Sequence, residues 1–100
     1  MSEIVILLGA DGDLIELFNR FEDWRPGMGF DFDRAFSMAC DLLSSHPQLG
    51  RRWRGNFRRL FIVHWNLGVF YEESGQRVLI HGIMDVRQDP DQIARRLGLR

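Results

Sequence analysis

The sequence predicts an α+β domain with the element order β-α-α-β-β-β-α. Three observations carry that reading. Two early segments repeat apolar residues at helical spacing, and the segment after Leu60 is rich in β-branched and aromatic residues interrupted by Gly- and Asn-containing turns. The C-terminal stretch opens on Asp89-Pro90-Asp91, a helix start. Hydrophobic residues make up 45% of the 100 and aromatics 12%, enough to fill one small core without disulfides, so residues 1–100 read as a single domain.

Ile4-Val5-Ile6-Leu7-Leu8 predicts the first strand; it is too short to span a bilayer and has no basic residue before it, so it reads as neither signal peptide nor anchor. Asp11 or Asp13 then caps a helix over about 13–24, with Leu14, Leu17, Phe18 and Phe21 on one face until Arg25-Pro26-Gly27 stops it. Gly9-Ala10-Asp11-Gly12-Asp13 lacks the further oxygen ligands and closing glutamate of a cation loop, so it reads as a cap. A second helix runs from about Asp31 to Ser45, with Phe32, Ala35, Phe36, Ala39, Cys40 and Leu43 on one face. The short Gly/Pro connection makes the two helices an antiparallel hairpin, expected to bury Phe18, Phe21, Phe36 and Cys40 against a sheet.

His46-Pro47-Gln48-Leu49-Gly50 breaks the second helix, and Leu60-Phe61-Ile62-Val63-His64-Trp65 begins a strand. Asn66-Leu67-Gly68 turns it into Val69-Phe70-Tyr71-Glu72-Glu73, Ser74-Gly75-Gln76 makes a second turn, and a third strand runs from Arg77 to about Arg87. These three form an antiparallel meander, and Glu72-Glu73 reads as its exposed hairpin end. Asp89 and Pro90 supply a cap and a first-turn proline to a short helix carrying Ile93 and Leu97. The helical hairpin covers one face of the sheet made by the meander and the N-terminal strand. The last helix lies at the sheet's edge or on its open face, and function is expected on the face left uncovered.

Charge divides the chain. Residues 1–50 hold three arginines against nine acids and residues 51–100 ten arginines against five acids, so a net charge of −1 conceals a dipolar molecule. All 13 basic residues are arginine, which suits forked recognition of carboxylate or phosphate better than proton transfer. The densest cluster is Arg51, Arg52, Arg54, Arg58 and Arg59, interleaved with Trp53 and Phe57. Arg51, Arg52 and Arg54, with Trp53 and Phe57, have three readings: contact with phosphate plus stacking on a base, a grip on an acidic partner protein, or a solvated loop paired with the carboxylates of the N-terminal half. Arg58, Arg59 and Arg87 flank strands. His64 and His81 fall in the meander and either supply acid and base near neutral pH or sit with ordinary hydrogen-bond partners. With Cys40 and His46 they make no zinc spacing, so no metal and no cofactor is expected. A lone cysteine on an apolar helical stripe reads as a buried thiol in a cytosolic protein.

Trp24-Arg25-Pro26-Gly27, His46-Pro47-Gln48-Leu49-Gly50-Arg51, Arg58-Arg59-Leu60, Val69-Phe70-Tyr71 and Arg87-Gln88-Asp89-Pro90 together resemble, in order and spacing, the RelE/ParE toxin family, the plasmid-stabilisation toxins. The resemblance implies a RelE/ParE-like fold and a cytoplasmic, growth-inhibiting bacterial toxin of a type II toxin–antitoxin system. Such a toxin is neutralised by a cognate antitoxin that wraps an extended or helical segment around it. The messenger-RNA-cleaving branch of the family carries basic residues where this chain has Arg59, Phe61, Gly68 and Gln88, and a tyrosine near Ala94; only Arg59 matches. Metal-free RNA cleavage needs a group to take the 2′-hydroxyl proton, another to protonate the leaving oxygen, and cations for the phosphorane charge. The other branch acts by binding, typically on DNA gyrase. The resemblance therefore implies a toxin acting by protein binding, and the basic residues themselves make Arg51, Arg52, Arg54, Arg58, Arg59 and Arg87 the candidate partner- or target-binding residues. The alternatives are a ribosome-dependent mRNA endoribonuclease using His64, His81 and Arg59, and a decayed toxin that only binds its antitoxin. A homodimer or a toxin–antitoxin hetero-oligomer is the implied assembly, with no membrane partner.

Overall fold

Apolar residues at every second position along the long strands sort the sheet into two faces, and the two helices have only one of them to cover. In the computed structural model, which describes residues 1–99, the elements are β1 (Glu3–Ile6), α1 (Leu8–Trp24), α2 (Met28–Ser45), β2 (Arg51–Arg52), β3 (Arg58–Ile62), β4 (Leu67–Ser74), β5 (Arg77–Asp85) and α3 (Pro90–Arg96). The sheet order is β1-β5-β4-β3-β2; β1 runs parallel to β5 and the other neighbours are antiparallel. Ile62, Leu67, Val69, Tyr71, Val78, Ile80 and Ile83 meet Ala10 and Leu17 of α1 and Phe32, Phe36, Ala39 and Leu43 of α2 in the main core. On the other face Phe70 and Met84 pack with Ile93 of α3, and Trp53 and Leu97 close the margin of this second cluster.

One irregularity keeps β5 in the core along its whole length. Phe70 pairs with Gly82 and Tyr71 with Ile80, which leaves His81 as an extra residue. Such a bulge shifts the alternation by one, so Val78 and Ile80 before it and Ile83 after it all face the helices.

The meander, the hairpin and the C-terminal helix lie where the sequence puts them, and the boundaries differ for tertiary reasons. Helix α1 starts near Leu8, not at residue 13, because the Leu7 N–H bonds the Ile80 carbonyl (3.0 Å) and Ala10 is fully buried. These contacts outweigh the poor helix propensity of Gly9 and Gly12. Neither Asp11 nor Asp13 caps it; Asp13 Oδ2 accepts from the Ile83 N–H (3.0 Å) and from Arg96 Nη2 (2.7 Å). Helix α2 begins at Met28, ahead of Asp31, with the Gly29 N–H satisfied by Glu22 Oε1 (2.9 Å). Strand β1 ends at Ile6, β3 at Ile62 and β5 at Asp85, and Val63–Asn66, not Asn66–Gly68, form the β3–β4 turn, with His64 and Asn66 at φ 74° and 56°. Asp89 caps α3 through the Asp91 N–H (2.9 Å) with Pro90 in the first turn, as its sequence predicts, and α3 lies on the open face. The short edge strand β2 is an addition. Phe21 and Cys40 are half-buried against the main core, but Phe18 packs edge-on to Phe30 (5.0 Å) at the seam between the helices, away from the sheet. No helix among the described residues is long and apolar enough to cross a membrane.

Phe36 is only 7% exposed within the main core. Phe36→Ala should therefore cost about 3–5 kcal/mol, from lost transfer energy plus the cavity left behind. A urea titration giving less than about 1 kcal/mol would remove Phe36 from the core.

Candidate functional site

The arginine cluster folds into a hairpin edge. Pairing of β2 with β3 sets Arg51 opposite Arg59 and Arg52 opposite Arg58, and like charges directly opposite one another are unfavourable unless something offsets them. Arg58 is offset internally: it donates to the Gly50 and Gln48 carbonyls (2.9 and 3.3 Å) and lies 3.4 Å from Glu73. It holds the loop before β2. Arg54 pairs with Asp91 of α3 (3.0 Å) and stands 5.2 Å from the Trp53 ring, which itself packs edge-on to Phe70. Arg87 takes a double contact with Asp85, whose carboxyl is held below the usual range chiefly by that hydrogen bond. Among the described residues Arg51, Arg52 and Arg59 have no carboxylate within ion-pair distance. The reading in which the whole cluster pairs with the acidic helices does not hold.

Arg59 shows how the open face is built. Its guanidinium lies 4.5 Å above the Phe61 ring, a cation–π contact, and its Nε is buried without a hydrogen-bond partner. A Cβ on Gly68, the β4 neighbour of Phe61, would sit 3.0 Å from Arg59 Cγ and 2.9 Å from Val86 Cγ1. The glycine makes room for Arg59 to lie flat across the sheet. Phe61 remains 47% exposed beside it, so the uncovered surface is one of cation and aromatic ring side by side.

The two histidines do not converge. His64 is exposed in the β3–β4 turn, while His81 sits at the bulge; along β4 they are about four residues apart, roughly 13 Å. His81 Nε2 approaches Glu72 Oε1 to 2.8 Å at an angle that makes no hydrogen bond, and Phe57 packs edge-on to the ring (4.9 Å). Glu72 is thus a half-buried partner and not a free hairpin end, and Glu73 faces Arg58. The cross-strand register assigns both partners, and no spacing in the sequence announces it.

Tyr71 positions the loop that leads into β2. Its fully buried hydroxyl donates to the Pro47 carbonyl (2.8 Å) and accepts the Gly50 N–H (2.9 Å). A Cβ on Gly50 would strike that hydroxyl at 2.7 Å, so the glycine is required for the contact.

No protein-family model matches the sequence, and no curated protein matches it. Among solved structures, a chain of the chromosomal ParDE TA system from P. aeruginosa is similar with a TM-score of 0.76 and 16% identity, over 85% of this chain and 96% of that one. The likeness bears out the RelE/ParE-like fold expected from the sequence.

Burial pushes the Tyr71 hydroxyl above its ordinary 10.0, and burial together with Asp41 pushes the Cys40 thiol from 9.0 up to about 11. Both groups hold their protons more tightly folded than unfolded, so their contribution is complete below the unfolded values and fades as pH rises through the folded ones. Stability should therefore fall from about pH 9 upward. Tyr71→Phe should cost about 1–3 kcal/mol at neutral pH, because it orphans the buried Gly50 N–H and the half-buried Pro47 carbonyl, and should flatten the decline above pH 10. Chemical denaturation across the alkaline range checks both; an unchanged neutral stability would mean that the hydroxyl does not hold the loop.

Proposed function

We propose that the chain is the toxin of a bacterial type II toxin–antitoxin system, neutralised by a cognate antitoxin, and that it acts by binding a protein target of the DNA gyrase kind. The fold shared with a chain of a ParDE TA system supports the toxin assignment, together with the ordered motifs from Trp24-Arg25-Pro26-Gly27 to Arg87-Gln88-Asp89-Pro90. The protein works in the cytoplasm as part of a toxin–antitoxin hetero-oligomer.

One observation carries the choice of binding over catalysis. On the open face the single basic residue that matches the nuclease branch, Arg59, rests on Phe61, at a position where that branch carries a second cation. Gly68, exposed Gln88 and buried Ala94 stand at the remaining positions, so no phenol and no further cation faces Arg59 from them. His64 and His81 lie too far apart along the sheet to act on one phosphate. Arg51, Arg52 and Arg59, the members of the cluster with no carboxylate in ion-pair distance among the described residues, are the contact residues; Arg58 supports them, and Arg54 tethers the hairpin loop to α3.

Induced without its antitoxin, the protein should arrest growth while leaving translated messages uncut, and replacing both His64 and His81 by Gln should preserve that arrest. Acid and base groups contribute about 10²–10⁴-fold each, so a nuclease dependent on them would lose nearly all activity. Primer extension on messages from induced cells reads the result: codon-phased cleavage present in the wild type and absent in the double variant would establish the endoribonuclease instead.

A further inference from the structure

The two edges of the sheet are finished differently. At one edge stands β2, two exposed arginines long. At the other stands β1, whose Ile4, Val5 and Ile6 are apolar and β-branched and whose single charge, Glu3, is paired with Arg77 (3.1 Å). Charge, proline and short length are the usual protections of a strand edge against pairing with another chain, and of these β1 has only the last.

The backbone of β1 leaves groups unused. The Glu3 and Leu7 N–H groups bond the Gln76 and Ile80 carbonyls (2.8 and 3.0 Å), so the odd-numbered residues turn toward β5 and the even-numbered ones away from it. Ser2 is satisfied by α2: its N–H bonds the Ser44 carbonyl (2.8 Å), and its carbonyl accepts the Ser44 hydroxyl (2.7 Å). Among the described residues no such partner meets Ile4 or Ile6, so the N–H and carbonyl of each lie open along the edge. Past Ile80 the outer side of β5 has no strand, and there Asp13 accepts the Ile83 N–H instead (3.0 Å). Apolar side chains bracket the open groups: Ile6 is 41% exposed, Leu8 91% and Met1 97%.

We propose that β1 pairs antiparallel with β1 of a second copy of this chain, about a two-fold axis at Val5, joining two sheets into one. Ile4 then lies opposite the partner's Ile6 in pairs that exchange both backbone bonds, and Val5 meets the partner's Val5. Every cross-strand pair at the centre is apolar and β-branched, and no like charges oppose one another. The same register brings Leu8 beside the partner's first residues, so the exposed Leu8 and Met1 side chains cover each other. Strand β2 cannot pair in this way, because a second copy there sets arginine against arginine. The contact uses the same edge of both copies and closes at two. So short an edge makes a small interface, and the dimer is therefore concentration-dependent. This assembly goes beyond the toxin reading and requires neither the antitoxin nor the target.

The test is sedimentation equilibrium of the full chain over a dilution series from micromolar to millimolar, with amide exchange followed by NMR at both ends of the series. The mass should double with concentration, and exchange at the Ile4 and Ile6 amides should slow at least about tenfold in the concentrated sample. Ile6→Lys places a charge on the edge, and Ile6→Pro removes an outward donor that β5 does not use; both should remain monomeric. Arg51→Glu/Arg52→Glu should dimerise like the wild type. The exchange measurement needs no variant, so it decides the matter even where a substitution at Ile6 unfolds the chain. The proposal is overturned if the wild type is monomeric throughout, if it associates without slowing the Ile4 and Ile6 amides, if species larger than a dimer form, or if folded Ile6→Lys dimerises like the wild type.

Discussion

The sheet has two faces and the chain has too little helix to cover both. The hairpin of α1 and α2 supplies 35 helical residues to one side, while α3 brings seven to the other, where Ile93 covers Phe70 and Met84. Everything distinctive about the open face follows from that shortage. Covering begins at β5 and reaches Trp53 at the margin, so Arg51, Arg59 and Phe61 on the far strands remain in contact with solvent or a partner. A longer last helix would bury a second core in their place. The bulge at His81 serves the same economy, because it lets all of β5 contribute to the side that is fully covered.

Most ion pairs stay within one half of the chain. Of the arginine–carboxylate pairs among the described residues, only Arg77–Glu3 and Arg96–Asp13 join the basic half to the acidic one; the others are local to their own half. Exposed pairs of this kind contribute little each, about 0–1 kcal/mol. The value of the separation lies in association: an arginine-rich face steers an acidic partner and fixes its register. Arg96, like Arg58 and Arg54, has a structural task, since it ties α3 across the sheet edge to Asp13 and to the Gly9 carbonyl (3.1 Å).

Much of this architecture is legible in the residues, and the failures share a cause. Element types follow from periodicity: Phe32, Phe36, Ala39 and Leu43 mark the buried face of α2, and Asp89-Pro90 marks the start of α3. Boundaries slip where a distant contact overrides local preference, as Ala10 and the Leu7–Ile80 bond do at the start of α1. The arginine cluster is conspicuous in the sequence, but its members look alike there and are not. Cross-strand register alone sends Arg58 into the Gly50 loop, lays Arg59 on Phe61 and leaves Arg51 and Arg52 with no carboxylate partner among the described residues. The Tyr71 clamp and the unpaired half of β5 have no signature in composition or spacing, because each depends on two segments meeting that are far apart in the chain.

The central claim is that the uncovered arginines are a protein-binding surface. It is tested most directly by calorimetric titration of this chain with the protein of an adjacent small gene having a DNA-binding N-terminus and a variable tail, using wild type and Arg51→Glu/Arg52→Glu at low and moderate salt. The account predicts weaker binding in the variant and a smaller loss of affinity with salt than the wild type shows. Identical isotherms for the two proteins at both salt concentrations would contradict it.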